Sequence, residues 1–379
     1  MIPFNRPYLT GHEFTYIQEA VAAGQLAGNG RFTKQCQAWL ERRVGAPRVL
    51  LTQSCTAALE MAALLLDLGP GDEVIMPSFT FVSTANAFVL RGATPVFVDI
   101  RPDTLNLDER QLESAITPRT KAIIVVHYAG VACDMDAIME IAHRYGLIVV
   151  EDAAHALMSR YKGKPLGSFG HLATFSFHET KNVISGEGGA LIINDPRFVE
   201  RAEIIWEKGT NRSQFSRGHV DKYTWVDVGS SFLPGELTAA FLWAQLEQAE
   251  QITSLRLELW NRYRTASSAL DAIGLRGPVV PPDCDHNAHL FYVLLPSPDR
   301  RNEILADLNA RGVNAVFHYV PLHSSPAGQR YGRASGSMSV TDDCSARLIR
   351  FPLWIGMPLE VPEIVVERVR ESVAAVSAR

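Results

Sequence analysis

The chain has 379 residues, of which 47% are hydrophobic and 20% charged, a composition typical of a globular protein large enough for two domains. The net charge of −5 comes from 36 basic and 41 acidic residues spread through the sequence, so neither a basic nucleic-acid-binding block nor an acidic disordered tail is indicated. The apolar runs are too short to cross a bilayer and the first residues lack the pattern of a signal peptide, so we expect a cytoplasmic protein that binds neither membranes nor nucleic acid.

Short apolar runs alternate with helical patterns in the first half of the chain. Five of these runs are predicted as buried strands: VLLT at 49–52, EVIMP at 73–77, PVFVDI at 95–100, KAIIVVHY at 121–128 and LIVVED at 147–152. The helical patterns between them cover 56–67, 80–90 and 134–145. Because apolar strands that alternate with helices form parallel sheets, we predict an α/β domain with its ligand site at the carboxyl ends of the strands.

The pattern changes after about residue 230. A long helical region at 236–270 is followed by a predicted strand at 290–296, a helix at 301–312, a strand at 313–323 and a last helix at 362–376. We therefore predict a large domain over residues 1–245 and a smaller C-terminal α+β domain over residues 246–379.

One stretch, FSFHETKNVISGEGGALII at 175–193, places Lys181 between two strand-like runs. A loop lysine is usually solvated, but a buried one has a lowered pKa and can form a Schiff base. The GEGG segment at 186–189 is not GxGxxG and no helix follows it, so it predicts a tight turn and not a dinucleotide site.

Three further segments carry candidate residues. Ser54, Cys55 and Thr56 lead from a strand into a helix, which predicts either an anion site or a plain N-cap. Asp152, beside Glu151 at the end of a buried strand, is either an N-cap or the partner of a cation. In PSFTFVSTANA at 77–87, the two phenylalanines either stack on a flat cofactor or pack in the core.

Taken together, these parts are those needed to hold pyridoxal 5′-phosphate (PLP): a phosphate cradle, an aromatic plate, a buried carboxylate and a lysine. No metal is expected, because the five cysteines are odd in number, widely spaced and without a CxxC pair, as in a protein with reduced thiols.

Nearly the whole sequence resembles the DegT/StrS-type sugar aminotransferases, PLP enzymes of fold type I, the aspartate-aminotransferase-like α/β fold. The resemblance is carried by SCTAAL at 54–59, PSFTFVSTANA, EDAAHA at 151–156, FSFHETKNVISGEGG and HYVPLH at 318–323. It implies that Lys181 is the Schiff-base lysine and proton shuttle, and that Asp152 is the partner of the pyridine nitrogen. The remaining cofactor contacts that it implies are His155 near the 3′-oxygen, stacking Phe81, and Ser54, Cys55, Thr56 and Ser176 at the phosphate.

Two departures from the family pattern are present. The first is Cys55, which stands where a glycine is usual. The second is GSSFLPGELTAA at 229–240, which replaces a GYNYR-type segment. Ser231 there takes the place of an asparagine that, in the family, reaches the phosphate in the partner subunit. With EKGTNRSQF at 207–215, this variant most resembles the dTDP-4-amino-4,6-dideoxygalactose transaminases of the family. That branch implies a homodimer with shared sites.

The branch also implies transfer of the amino group of L-glutamate to dTDP-4-keto-6-deoxyglucose, for a cell-surface polysaccharide such as enterobacterial common antigen. Asn211, Arg212, His318 and Tyr319 are predicted to approach the substrates. The alternatives are an aminotransferase for a 3-keto or different 4-keto nucleotide sugar, a sugar 3-dehydratase, in which a histidine replaces the lysine, and a non-catalytic regulatory homologue.

Overall fold

The computed structural model describes residues 1–378. Its α-helices are α1 (Glu13–Ala22), α2 (Arg31–Val44), α3 (Cys55–Leu65), α4 (Val82–Val89), α5 (Leu112–Ala115), α6 (Met135–Tyr145), α7 (Val199–Trp206), α8 (Arg212–Ser216), α9 (Glu236–Glu247), α10 (Ala249–Asp271), α11 (Arg301–Ala310), α12 (Pro326–Tyr331), α13 (Ser339–Arg347) and α14 (Val361–Ser377). Its strands are β1 (Arg48–Thr52), β2 (Glu73–Pro77), β3 (Thr94–Val98), β4 (Thr120–Val126), β5 (Ile148–Asp152), β6 (Arg160–Tyr161), β7 (Lys164–Pro165), β8 (Leu172–Ser176), β9 (Gly189–Ile193), β10 (Cys284–Asp285), β11 (Phe291–Leu294), β12 (Arg333–Ala334) and β13 (Leu348–Phe351).

An eight-stranded sheet with the order β1-β9-β8-β5-β4-β2-β3-β12 forms the centre of the molecule. Strand β9 is antiparallel to both β1 and β8, and every neighbouring pair from β8 to β12 is parallel. The five strands predicted in the first half of the sequence are β1 to β5, so the predicted α/β architecture with a mostly parallel sheet is confirmed.

The strands are apolar throughout because both faces of the sheet are covered. On β1, Val49 and Leu51 pack into one buried cluster, which also holds residues of α2 and α9. Leu50, between them, points the other way into a second cluster that includes residues of α3. Side chains along a strand alternate between faces, so helices on both sides require an unbroken apolar run.

The structure differs from the predicted elements in three places. The long helix predicted at 236–270 is broken at Gln248, which has non-helical backbone angles between α9 and α10. The strand predicted at 313–323 is wrong, since this segment makes isolated bridges and contains Tyr319 at a left-handed φ of 40°. Strand β12 pairs with β3, so the C-terminal part of the chain returns to the central sheet. The boundary at residue 245 stays a prediction.

Within residues 1–378, no helix has the length and apolarity needed for a membrane crossing. The same residues contain no group of three His, Cys, Asp or Glu side chains that could hold a metal ion. All five cysteines are free.

Candidate functional site

A cavity of about 410 Å³ opens at the carboxyl ends of the central strands. Val126, Asp152 and Ser176, the last residues of β4, β5 and β8, all line it. Side chains of the C-terminal part, including Arg350 on β13, complete the lining. The site therefore lies where a parallel sheet is expected to bind its ligand.

The N-terminus of α3 forms one wall of the cavity. Ser54 is its N-cap, and the hydroxyl oxygen accepts a hydrogen bond from the N–H of Ala57 at 3.1 Å. The N–H groups of Cys55 and Thr56, in the first turn, have no intrahelical acceptor. A Cβ on Gly189 would lie 2.4 Å from the nitrogen of Cys55, so only glycine lets β9 begin this close to the turn. The result is a cradle of free N–H groups at a positive helix end, which suits an anion.

The two carboxylates at the end of β5 face opposite sides of the sheet. Glu151 is fully buried and accepts hydrogen bonds from four donors: the ring Nε2 of His127 (2.9 Å) and the N–H groups of Gly167 (2.8 Å), Phe169 (2.7 Å) and Gly170 (2.7 Å). Because the hydrogen bonds of its carboxylate hold the loop before β8, Glu151 has a structural role.

Asp152 lines the cavity and is 5% exposed. Its Oδ2 accepts a hydrogen bond from the hydroxyl of Thr84 at 2.7 Å, and its Oδ1 accepts one from the N–H of Ala154 at 3.2 Å. Burial raises the pKa of Asp152, and the charge of Lys181 opposes that rise. Within residues 1–378 no cation bonds to this carboxylate, so it is available to one supplied by a ligand.

Lys181 lies in a bend between β8 and β9, and its N–H donates to the carbonyl of His178 at 2.9 Å. The side chain reaches the cavity, and among the described residues its amine makes no hydrogen bond or ion pair. Burial lowers its pKa to about 8, against the opposing fields of Cys55 and Asp152. About a tenth of this amine is therefore neutral, and nucleophilic, at pH 7, far more than of a free lysine.

His155 stacks on His289 with the ring centroids 4.1 Å apart. Its Nδ1 accepts a hydrogen bond from the N–H of Ala129 at 3.3 Å, which assigns the proton to Nε2. That Nε2 lies 3.2 Å from the hydroxyl oxygen of Tyr319 and donates to it. Burial, followed by the positive field of Lys181, holds the pKa of His155 well below its usual value, so the ring is neutral.

His318 and Tyr319 approach the cavity from the loop that the sequence had predicted as a strand. Their rings stack at 3.6 Å, and the hydroxyl of Tyr128 lies 2.8 Å from Nδ1 of His318. The hydroxyl of Ser345 donates to the carbonyl of Tyr319 at 2.7 Å, which helps to hold the left-handed turn. This turn directs both rings into the cavity, which an extended strand would not do, because it alternates its side chains.

The two phenylalanines of PSFTFVSTANA have different environments. Phe79 is 1% exposed and packs edge-on against Tyr319 at 5.4 Å, so it belongs to the core. Phe81 is 57% exposed, lines the cavity and precedes α4. Phe81 thus has a ring face free for a planar ligand.

Three predicted residues lie outside this cavity. Ser231 and Arg212 line a second, larger cavity of about 880 Å³. The side-chain oxygen of Asn211 accepts a hydrogen bond from the N–H of Thr224 at 2.8 Å. The structure does not bring these residues to Lys181 of the same chain, and their roles stay predictions.

Sequence reasoning missed several residues that line the cavity or support it. Thr84 lies inside PSFTFVSTANA, a motif noted for its aromatic residues. Only its place in that motif could have indicated that it supports the site. His289 lies in the loop before β11 and Arg350 on β13, neither in a segment predicted to form the site, and only the fold brings them to the cavity.

Comparison with known proteins agrees with this geometry. Residues 7–370 match the model of the DegT/DnrJ/EryC1/StrS aminotransferase family. The chain belongs to this family. It is 34% identical over 383 residues to the spore coat polysaccharide biosynthesis protein SpsC of Bacillus subtilis (strain 168), an alignment that covers 98% of this chain and 97% of SpsC.

Solved structures extend the family match to the fold. The aminotransferase TlmJ from Streptoalloteichus hindustanus superposes with a TM-score of 0.91 at 32% identity, over the full length of both chains. The putative sugar aminotransferase Spr1654 from Streptococcus pneumoniae, in its PLP-form, has a TM-score of 0.90 at 27% identity and 99% coverage of each chain. The predicted fold type I architecture and family are thus confirmed.

Proposed function

We propose that the protein is a PLP-dependent aminotransferase that moves the amino group of L-glutamate to a keto sugar linked to a nucleotide. The single observation that carries the proposal is Lys181, whose amine lies in the same buried cavity as Asp152 and has its pKa lowered to about 8. The PLP-form and PMP-form structures of Spr1654 support the choice of cofactor, since the fold is shared.

The residues present fit PLP. The free N–H groups of Cys55 and Thr56, with the hydroxyl of Ser176, would hold the phosphate. The carboxylate of Asp152, which has no cationic partner within residues 1–378, would pair with the protonated pyridine nitrogen. His155, whose Nε2 carries the proton, would donate a hydrogen bond to the 3′-oxygen, and the exposed ring of Phe81 would cover one face.

When bound, PLP supplies an electron sink for the carbanion that forms as a proton leaves the donor carbon. Lys181 is the residue placed to remove that proton, because its lowered pKa leaves the amine partly neutral. In the second half of the reaction the same amine, now protonated, would deliver a proton to the sugar carbon. With PLP bound, the carboxylate of Asp152 would hold the ring nitrogen in its protonated form, and ping-pong kinetics are expected.

For the acceptor we propose dTDP-4-keto-6-deoxyglucose, with dTDP-4-amino-4,6-dideoxygalactose as product, in the synthesis of a cell-surface polysaccharide such as enterobacterial common antigen. The printed name of SpsC, a polysaccharide biosynthesis protein, supports the general pathway. A different keto sugar is the alternative, because small polar differences in a pocket decide such specificity. Lys181 argues against a 3-dehydratase, and the intact site argues against a non-catalytic homologue.

We also propose a cytoplasmic homodimer with shared sites. Ser231, Asn211 and Arg212 lie away from the cavity of their own chain, and the exposed rings of Tyr223 and Trp225 are close to them in sequence. In a dimer these residues would form part of the active site of the partner subunit. Ser231, shorter than the usual asparagine, would make a weaker contact with the partner's phosphate.

The first test of the proposed function is the visible absorption of the protein with PLP. The purified protein mixed with PLP should show a visible absorption band, and L-glutamate should bleach it with release of 2-oxoglutarate. Lys181→Ala should do neither. A wild-type protein that stays colourless with PLP would refute the function. A panel of 4-keto and 3-keto nucleotide sugars, with the product configuration read by NMR, identifies the acceptor.

A further inference from the structure

Residues 287–289, just before β11, bond to a chain segment that lines the cavity. The side-chain nitrogen of Asn287 donates to the carbonyls of His155 and Leu157, each at 2.8 Å. The ring of His289 stacks on that of His155, with the centroids 4.1 Å apart. The whole segment is buried, so this part of the chain is fixed against the loop that follows β5.

Asn182, which follows Lys181, bonds to the same segment from the loop between β8 and β9. Its side-chain nitrogen donates to the carbonyl of Asn287 at 2.7 Å, and its side-chain oxygen lies 3.0 Å from Nδ1 of His289. Asn182 is buried and is not among the residues that line the cavity. Its two bonds therefore hold the backbone next to Lys181 in a fixed place relative to His155.

The bonds of Asn182 determine which nitrogen of His289 carries the proton. A carbonyl can only accept a hydrogen bond, so the atom that faces the carbonyl of Asn287 is the amide nitrogen of Asn182. The amide oxygen therefore faces the imidazole, and Nδ1 of His289 donates to it. This leaves Nε2 of His289 without a proton in the neutral ring.

The surroundings of His289 keep its ring neutral. Burial lowers its pKa well below the usual value, and the groups that add to this shift are His155, Lys181, Arg256 and Arg350. A carboxylate in the place of the amide would favour the charged imidazolium, whereas the oxygen of Asn182 accepts the hydrogen bond without that effect. An uncharged ring in one defined tautomer therefore lies against His155.

The main chain of this segment is also held from α10. Arg256 donates to the carbonyl of Ala288 at 3.0 Å and to that of His289 at 2.7 Å. Ala288 has a left-handed φ of 52°, and these bonds stabilise that turn. The ring of His289 is thus attached to a firmly held backbone, while Asn182 bonds to the ring itself.

We propose that Asn182 is a positioning residue that acts through His289 to place His155 and Lys181 correctly for the cofactor. The inference rests on the proposed function, since His155 and Lys181 are the predicted contacts of PLP. The bonds of Asn182 keep the ring of His289 stacked against His155, whose Nε2–H would donate to the 3′-oxygen. They also keep the loop of Lys181 from shifting relative to that ring.

The experiment measures the visible band of the PLP-loaded protein as a function of pH, without any substrate. Asn182→Leu has a similar volume and removes both hydrogen bonds, while His289→Phe keeps a stacked ring but has no Nδ1–H. A hydrogen bond from His155 stabilises negative charge on the 3′-oxygen and so weakens the attraction of that oxygen for the proton on the nitrogen of Lys181. In both variants we therefore expect the midpoint of the spectral change to rise by about half a pH unit or more.

A double variant shows whether Asn182 acts through His289. If it does, Asn182→Leu with His289→Phe should shift the midpoint no further than either single variant, since the contact is already absent. Asn194→Leu is the matched control, because Asn194 also bridges two carbonyls, those of Gly167 and Gly170, but outside the cavity. The midpoint of this control should stay at the wild-type value.

Kinetics separate positioning from binding. In Asn182→Leu we expect the single-turnover rate with L-glutamate to fall about 10-fold or more, because the reacting groups are misplaced. 2-Methyl-L-glutamate has no α-proton and cannot react further, so its Kd can be read from the shift of the visible band. This Kd should stay within about twofold of the wild-type value, because Asn182 does not line the cavity. A higher Kd with an unchanged rate would assign Asn182 to ligand binding and overturn the inference.

The outcomes separate this inference from the proposed function. A wild-type midpoint in Asn182→Leu, or in His289→Phe if the leucine variant does not fold, would overturn the inference and leave the aminotransferase intact. Shifts that add in the double variant would overturn it as well, since Asn182 would then act independently of His289. A wild-type protein with no visible band and no reaction with glutamate would overturn the function itself.

Discussion

The hydroxyl of Thr84 lies 2.7 Å from Oδ2 of Asp152 and donates to it, and the hydroxyl of Thr80 lies 2.8 Å from that of Thr84. Because the proton of Thr84 is committed to the carboxylate, Thr80 is the donor in the second bond. Both threonines are buried. This chain of two hydroxyls orients Asp152 and stabilises its charged form, against the burial that raises its pKa.

Removing the hydroxyl of Thr84 should therefore weaken the site through Asp152. Thr84→Val keeps the volume but leaves the carboxylate one donor short, and we expect the donor half-reaction to slow by about 10- to 100-fold, as for a hydrogen bond to a charged group. Thr84→Ser should restore the rate. The visible band, titrated with pH, should also shift in the valine variant. Wild-type spectra and rates in Thr84→Val would contradict this positioning role.

Asp152→Asn should gain stability relative to the wild-type apoprotein as the pH rises. Burial raises the folded pKa of Asp152 above its unfolded value, so folding favours the neutral acid, and that favourable contribution is lost as the pH rises through the folded pKa. An amide cannot ionise, so we expect the free energy of unfolding of the variant, relative to wild type, to be higher at pH 7 than below the unfolded pKa. At both pH values the amide has only one acceptor oxygen for the two donors, Thr84 and Ala154. Urea unfolding at both pH values checks this. The same difference from wild type at both pH values would contradict this effect of burial.

The neighbouring Glu151→Gln should destabilise the protein. All four donors around this carboxylate would face a group with one acceptor oxygen and an NH₂, and the ring of His127 would lose its acceptor. We expect a loss of about 3 kcal/mol or more in the free energy of unfolding, as for breaking a buried polar network. The same urea titration measures it. Equal effects of the two substitutions would contradict the separate roles assigned to these adjacent carboxylates.

The capture of PLP by the apoprotein should depend on pH through Lys181. The neutral amine is the nucleophile, and because burial lowers the pKa of Lys181 to about 8, the rate should rise with pH and reach half its maximum near that value. A free lysine amine would titrate near 10.4 instead. Stopped-flow absorbance gives the profile, with Lys181→Ala as a control that forms no band. A midpoint above pH 10 would argue that the amine is solvated.

Mixed dimers test whether sites are shared. If Arg212 acts in the partner's site, Lys181→Ala and Arg212→Ala should each be inactive, while a hybrid dimer would contain one intact site. Random re-association makes about half of the dimers hybrid with one of two sites restored, so about a quarter of wild-type activity is expected. Full activity of Arg212→Ala alone would remove this residue from the site.

Much of the site could be predicted from the sequence because its residues occupy fixed places at the ends of strands. Apolar periodicity predicted β1 to β5, and a parallel sheet brings the ends of such strands to one edge, so Asp152, Ser176 and the start of α3 were expected to meet. Lys181 follows from the motif around it. Periodicity failed at 313–323, where the left-handed turn at Tyr319 depends on contacts from elsewhere in the chain.

The sequence by itself determined the family, the α/β fold and the residues that carry the shared chemistry, since these depend on local pattern and on motifs of contiguous residues. Only the tertiary structure decided that Asp152 faces the cavity while Glu151 is held by four donors, because adjacent strand residues point to opposite faces. It also decided that Arg350, distant in sequence from Lys181, lies in the same cavity without an acidic partner among the residues described. Burial and the pairing of charges are properties of the packed chain.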